Sequence, residues 1–321
     1  TYTNINGCKQ TITINVSALP TITGSANVCV GGTTTLSGSG TPDATTPWAS
    51  SNSAVATVNT SGVVNGVTAG TTSITYKNNA GCANLINITV VARPTITGTT
   101  TLCVGTSTTL TGGGTPNSTN PWISSNTSIV NINGSGFMNA VAGGTATITY
   151  TNSAGCTKDS LITINALPVI TGTPSACQGL TATLTGNGTA AASGTWTTAN
   201  ASIATVSGTG LTGTVTGVLA GSCGITYKNS NNCQATVLFT VNPLPTTFTV
   251  TGGGAYCVGG NGVSVGLSSS QSGINYQLVR QGTPNVNVGA PVSGTNSAIS
   301  FGLQTTLGTY FVTATNATTN C

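Results

Sequence analysis

Apolar and polar positions alternate with a period of two along much of the chain. Ile148 and Tyr150 alternate with Thr147 and Thr149, and Ile162 and Ile164 alternate with Thr163 and Asn165. A strand sends successive side chains to opposite faces, so these runs predict strands with one apolar and one hydroxyl-bearing face. Between residues 94 and 167 the pattern predicts strands at Thr95–Gly98, Ser107–Thr111, from Trp122 to Ser124, at Ile129–Ile132, Phe137–Val141, Thr145–Tyr150 and Leu161–Asn165, with a turn at 112–116. Turn clusters spaced about 8 to 12 residues apart between short β-branched runs are the mark of a sandwich. Helical periodicity is absent from every window of useful length. The expectation is an all-β chain.

The pattern repeats. Trp48, Trp122 and Trp196 stand 74 residues apart, as do Cys29, Cys103 and Cys177. A strict period of this length predicts tandem copies of one small domain. Copies begin at Pro20, Pro94, Pro168 and Pro245, which divides the chain into 1–19, 20–93, 94–167, 168–244 and 245–321. Each Pro follows Leu or Arg, and such joints favour extended backbone over a flexible tether, so the domains are expected end to end. Residues 1–19 read as the tail of a preceding copy, because Cys8 precedes Pro20 by the same interval as Cys156 precedes Pro168, and Tyr2 matches Tyr150. The chain is therefore expected to be a segment of a longer one, with strand addition from a neighbouring molecule as the alternative.

Composition narrows the function. Charged residues make up 2% of the chain, with Asp43 and Asp159 the acids, no His, and a net charge of +4. Six scattered Lys and Arg do not form the clustered footprint of a nucleic-acid or anionic-membrane binder, and no apolar run is long enough for a membrane helix. A chain crowded with Thr, Val and Ile but nearly uncharged is expected to fold. Without His or Glu there is no triad, no Cys/His pair and no paired-carboxylate site; the joints lack a calcium ligand set; and the glycine clusters at 112–114 and 252–254 precede no Lys-Ser or Lys-Thr. The expectation is no enzyme and no cofactor or metal. Ten cysteines recurring in pairs at fixed places read as a disulfide framework in an oxidising compartment; metal ligation lacks the spacing.

A family resemblance rests on particular residues. Ala56-Thr57-Val58, Ser61-Gly62-Val63-Val64, Val67, Ala69-Gly70-Thr71 and Ile74-Thr75-Tyr76, with close counterparts at 129–150 and 203–227, resemble the bacterial immunoglobulin-like group 2 domain of large surface adhesins. The last copy departs from it. Gly252–Gly254, Tyr256-Cys257, Gly259-Gly260, Tyr276-Gln277-Leu278 and Gly308-Thr309-Tyr310 onward resemble repeats of very long surface proteins exported by gliding bacteria, and this copy has no Trp.

The immunoglobulin-like sandwich implies that the start of the first strands and the turn before the last strand share one end of a domain. On that implication the pairs are Cys29 with Cys82, Cys103 with Cys156, Cys177 with Cys233 and Cys257 with Cys321, all within a domain, with Cys8 left for a partner upstream. Pairing across a joint is expected to fail, since a last strand would hold Cys82 and Cys103 on the order of 30 Å apart. Cys223 aligns two residues before an inward Ile and reads as a small buried thiol. The family places its core aromatic where Trp48, Trp122 and Trp196 stand, which implies core packing over sugar stacking. Asp159-Ser160-Leu161 is similar to an O-glycosylation signal of such surface proteins, with Ser160 the acceptor.

The functional expectation is a non-enzymatic, extracellular shaft of a long cell-surface adhesin or filament, about 150 Å over four copies. Its partners would be repeats upstream and downstream and, through the missing charge repulsion, neighbouring molecules side by side. The alternatives are a glycan- or protein-binding module, marked by a row of exposed aromatics, and accessory repeats of a large secreted enzyme.

Overall fold

The computed structural model describes all residues 1–321, in strands and turns without a helix. The chain divides into two compact units, Thr1–Ala166 and Leu167–Cys321. The first holds a hairpin, Tyr2–Thr3 with Lys9–Gln10, and two sandwiches; the second holds two more sandwiches.

The sandwich of residues 94–167 exemplifies the repeat. One sheet orders its strands Thr101–Cys103, Thr157–Asn165, Gly144–Thr151, Trp122–Ser124; the other orders Ser107–Thr109, Phe137–Ala140, Val130–Ile132. The alternating positions behave as period-two patterning requires. Ile148, Tyr150, Ile162 and Ile164 turn inward and are buried with Leu102, Leu110, Val130 and Met138, while the Thr positions between them face outward. Two differences from the sequence expectation matter. The short strand Thr101–Cys103 was not foreseen, and it runs parallel to the last strand, with Cys103 opposite Asn165. The last strand also starts earlier, at Thr157.

The aromatic centre recurs. Trp48 lies against Tyr76, Trp122 against Tyr150 and Trp196 against Tyr227, with ring centroids 4.6, 4.5 and 4.8 Å apart. Trp122 and Trp196 are buried and Trp48 is half-buried. Each tyrosine ring lies flat on a glycine, and a Cβ built at Gly112 would stand 2.3 Å from the Tyr150 ring. Glycine is required there for close approach rather than for backbone freedom.

The last sandwich differs. Its sheets are Val250–Gly252, Val263–Leu267, Ile299–Gln304 and Val286–Ser293, Ile274–Arg280, Tyr310–Asn316. Tyr310–Asn316 corresponds to Gly144–Thr151 and pairs with Ile274–Arg280.

Candidate functional site: the stapled joint between repeats

The second cysteine of each repeat sits in one recurring turn. The Asn152 side-chain oxygen accepts the backbone N–H groups of Ala154 and Cys156 at 3.1 and 2.9 Å, and the Asn152 N–H donates to the Cys156 carbonyl at 3.0 Å. An Asn side chain that bonds its own backbone two to four residues on closes the loop without help from another element. Gly155 supplies the left-handed residue at φ 80°, as Gly7, Gly81, Asn232 and Asn320 do before Cys8, Cys82, Cys233 and Cys321.

The first cysteine lies at the opposite end of the last strand. Cys29 stands in parallel register with Val91, the Val30 N–H donates to the Val91 carbonyl at 2.9 Å, and the Gly31 N–H donates to Gly66 at 2.7 Å. The nine-residue strand Ala83–Val91 separates that turn from Cys82, a span of about 30 Å at the strand rise per residue.

The pairing expected from the resemblance is therefore corrected at every bond. Cys29 bonds Cys156, not Cys82, with Cα atoms 5.7 Å apart and a sequence separation of 127. Cys177 bonds Cys321, not Cys233, with Cα atoms 5.5 Å apart and a separation of 144. Cys103, whose expected partner Cys156 is taken, and Cys233 are disulfide-bonded as well. Cys82 and Cys257 are free thiols, as are Cys8 and Cys223. The physical reason is the parallel first strand. It carries Cys29 and Cys177 to the far end of their domains, where the turns holding Cys156 and Cys321 meet them. The length of the last strand thus separates the two cysteines of one domain, not those that face each other across a joint.

The joint in the first unit has further ties. The Cys156 sulfur lies 4.0 Å from the Val91 carbonyl oxygen. The Arg93 guanidinium donates to the Val30 carbonyl at 2.9 Å and to the Thr157 carbonyl at 3.5 Å, one on each side of Pro94.

The remaining candidates have plain positions. Cys223 is buried, its sulfur 3.7 Å from the Thr198 hydroxyl. Ser160 stands opposite Ile148, half-buried on the inward face of its strand. The exposed large aromatics, Tyr2, Phe137 and Tyr256, fall in three different repeats and make no row.

Two groups, Asp43 and Tyr227, are shifted from their ordinary values, each away from neutral pH. Asp43 is held well below the usual carboxylate range, chiefly by the Thr46 N–H, then by Lys77 at 2.9 Å and by the N–H and hydroxyl of Thr45. A lowered carboxylate adds stability above its unfolded value, near 4, which is lost as pH falls through the folded value. Burial raises the Tyr227 phenol, whose oxygen has no hydrogen-bond partner. That neutral phenol adds stability below its unfolded value, near 10, which is lost as pH rises through the folded value. With no His between them, thermal melts should be flat from about pH 5 to 8 and unchanged by salt, falling only toward the acid and alkaline extremes. A midpoint that moves by several degrees inside that window would contradict this.

A family model described as the bacterial Ig-like domain (group 2) matches residues 15–84, 90–162 and 170–239. No curated protein matches the chain. Among solved structures, surface layer protein SbsC domains 4–9 are 18% identical over 72% of this chain and 48% of that one, with a TM-score of 0.20. The S-layer protein rSbsC(31-844) is 15% identical over 93% and 52%, with a TM-score of 0.21. The eight N-terminal Ig domains of Down Syndrome Cell Adhesion Molecule are 12% identical over 88% and 48%, with a TM-score of 0.28. This chain thus spans about half the length of each.

Proposed function

The chain belongs to the bacterial Ig-like domain (group 2) family, and from that premise we propose that it is a stretch of shaft in a long extracellular surface protein, working by mechanical reach rather than by chemistry. The observation that carries this reading is the Cys29–Cys156 bond, which ties one repeat to the next across their joint. A bond inside a sandwich would steady that sandwich alone. A bond across the joint keeps neighbouring domains from bending or parting, a property of use to a spacer and of little use to an enzyme.

Several features support the same reading. Disulfides persist in oxidising surroundings outside the cytoplasm. The near-absence of charge leaves little for salt or pH to disturb. The aromatics that would favour a glycan platform are either packed against tyrosines or scattered. Placement outside the cell is tested by treating intact producing cells with a membrane-impermeant reductant and then an impermeant thiol tag. Cys29, Cys103, Cys156, Cys177, Cys233 and Cys321 should all become labelled without lysis. Labelling only after lysis would overturn the extracellular reading.

A further inference from the structure

Arg93 stands before Pro94 at the joint of the first unit, where the other copies have Leu19, Leu167 and Leu244 before their Pro. Its guanidinium lies alongside the disulfide. Nε donates to the Val30 carbonyl at 2.9 Å and Nη1 to the Thr157 carbonyl at 3.5 Å. Val30 follows Cys29 and Thr157 follows Cys156, the two halves of the staple. Arg93 therefore links the same two backbone segments as the disulfide, one residue further along each. Both segments are themselves held, the Val30 N–H by the Val91 carbonyl at 2.9 Å and Thr157 by its pairing with Thr151.

We propose that Arg93 is a second clasp on this joint, one that reductants do not open. It keeps Cys29 and Cys156 facing each other after their bond is reduced, so that the bond recloses. The role rests on the shaft reading above, in which the joint is the working part, and it makes Arg93 a positioning residue that acts through the backbone on either side. The chemistry favours arginine. A guanidinium presents its donors in a rigid planar fork and reaches two carbonyls at once, whereas the ammonium of lysine is a compact point charge on a flexible stem. A charged donor also makes the stronger class of hydrogen bond. Both acceptors are neutral carbonyls, so the clasp is not an ion pair, and salt should weaken it little.

The cover over the two sulfurs sets the order of events. Cys156 is 1% exposed, while Cys29 is half-buried. An incoming thiol therefore reaches the Cys29 sulfur first and displaces Cys156, which stays in its closed turn with the Asn152 oxygen on its N–H at 2.9 Å. With the clasp in place the displaced sulfur remains within reach of Cys29, and its effective concentration there is high. Without the clasp the two segments part, and that concentration falls.

With glutathione as the monothiol, its thiolate attacks the Cys29 sulfur, the Cys29–Cys156 bond breaks, and Cys156 leaves as a thiolate. Two fates follow. The Cys156 thiolate attacks the Cys29 sulfur of the mixed disulfide and expels glutathione, which restores the staple. Otherwise a second glutathione thiolate attacks the glutathione sulfur and releases Cys29. On that second course the protein disulfide gains two electrons and two protons, and two glutathione thiols become one glutathione disulfide. Arg93 favours the first fate.

The test equilibrates the purified full chain across a series of glutathione redox buffers, traps the thiols by alkylation, and follows the Cys29–Cys156 and Cys177–Cys321 peptides by mass spectrometry. Arg93→Leu changes an exposed side chain to the residue the other copies carry before Pro, so it should fold. In this variant the ratio of squared thiol to disulfide glutathione that half-reduces Cys29–Cys156 should fall on the order of tenfold, the factor that one charged hydrogen bond is worth. Cys177–Cys321 should keep its wild-type ratio and so report intact folding. Arg93→Lys should behave as Arg93→Leu, because one ammonium does not bridge both carbonyls. An Arg93→Leu midpoint unchanged at Cys29–Cys156, an equal shift at both bonds, or full wild-type behaviour in Arg93→Lys would each overturn the proposal. None of these outcomes bears on the shaft reading, which stands or falls with thiol labelling of intact cells.

Discussion

Pulled by its two ends in oxidising solution, the chain should stop extending at a covalent limit of about 170 Å end to end; after reduction that limit should rise by about 900 Å. Cys29–Cys156 and Cys177–Cys321 bypass 127 and 144 residues. The shortest covalent path thus runs from residue 1 to 29, across to 156, on to 177, and across to 321. At about 3.3 to 3.6 Å per extended residue, the two short stretches supply the first figure and the two bypassed loops the second. Bonds confined to single repeats, such as Cys29 to Cys82, would lock the cores and leave every joint extensible. Bonds across joints lock both, so tension is carried by sulfur before it reaches the hydrogen bonds of the sheets. Force spectroscopy on the full chain, with and without reductant, reads the difference directly. Equal contour lengths in the two conditions would remove the mechanical basis of the proposed function.

Thermodynamics points the same way. By the chain-entropy estimate a loop of this size is worth about 5 kcal/mol against the unfolded state, comparable with the whole stability of a small domain. Loops that span two repeats also couple their unfolding. A repeat that opens cannot expand freely while its stapled neighbour stays folded.

How much of this was legible in the sequence depends on the range of the interaction that fixes each part. The strands Gly144–Thr151 and Thr157–Asn165 were readable because Ile148, Tyr150, Ile162 and Ile164 declare a buried face through local alternation. The 74-residue period was readable because it is arithmetic. Thr101–Cys103 was not, since three residues with one inward apolar side chain, Leu102, show no periodicity, and their strand exists only through parallel pairing with residues 163–165. Missing that strand misplaced Cys29, Cys103 and Cys177 by the length of a domain, and the bond pattern went with it. A signal was nonetheless present. Pairing the first cysteine of one copy with the second cysteine of the next uses the same residues and the same period, and only strand direction separates the two patterns.

Replacing Trp122 with Ala should destabilise its repeat by about 3 to 5 kcal/mol, the range for deleting a large buried aromatic. Trp122 is only 8% exposed. Its ring meets Tyr150 at 4.5 Å, and the opposite side of the core admits the Tyr150 ring only because residue 112 lacks a Cβ. The void left by the indole cannot be refilled by Tyr150 without lifting that ring from Gly112, so the site should collapse poorly and the cost should lie in the upper part of the range. Trp48 has the same partner geometry but is half-exposed, so Trp48→Ala removes less buried surface and should cost less, about 1 to 3 kcal/mol. The pair of variants therefore separates core packing from ligand stacking: packing predicts a graded loss of stability that follows burial, whereas a stacking platform predicts near-wild-type denaturation for both. Urea unfolding of the full oxidised chain, followed by tryptophan fluorescence, gives the two values, and a Trp122→Ala protein within about 1 kcal/mol of wild type would place the indole outside the core's energetics.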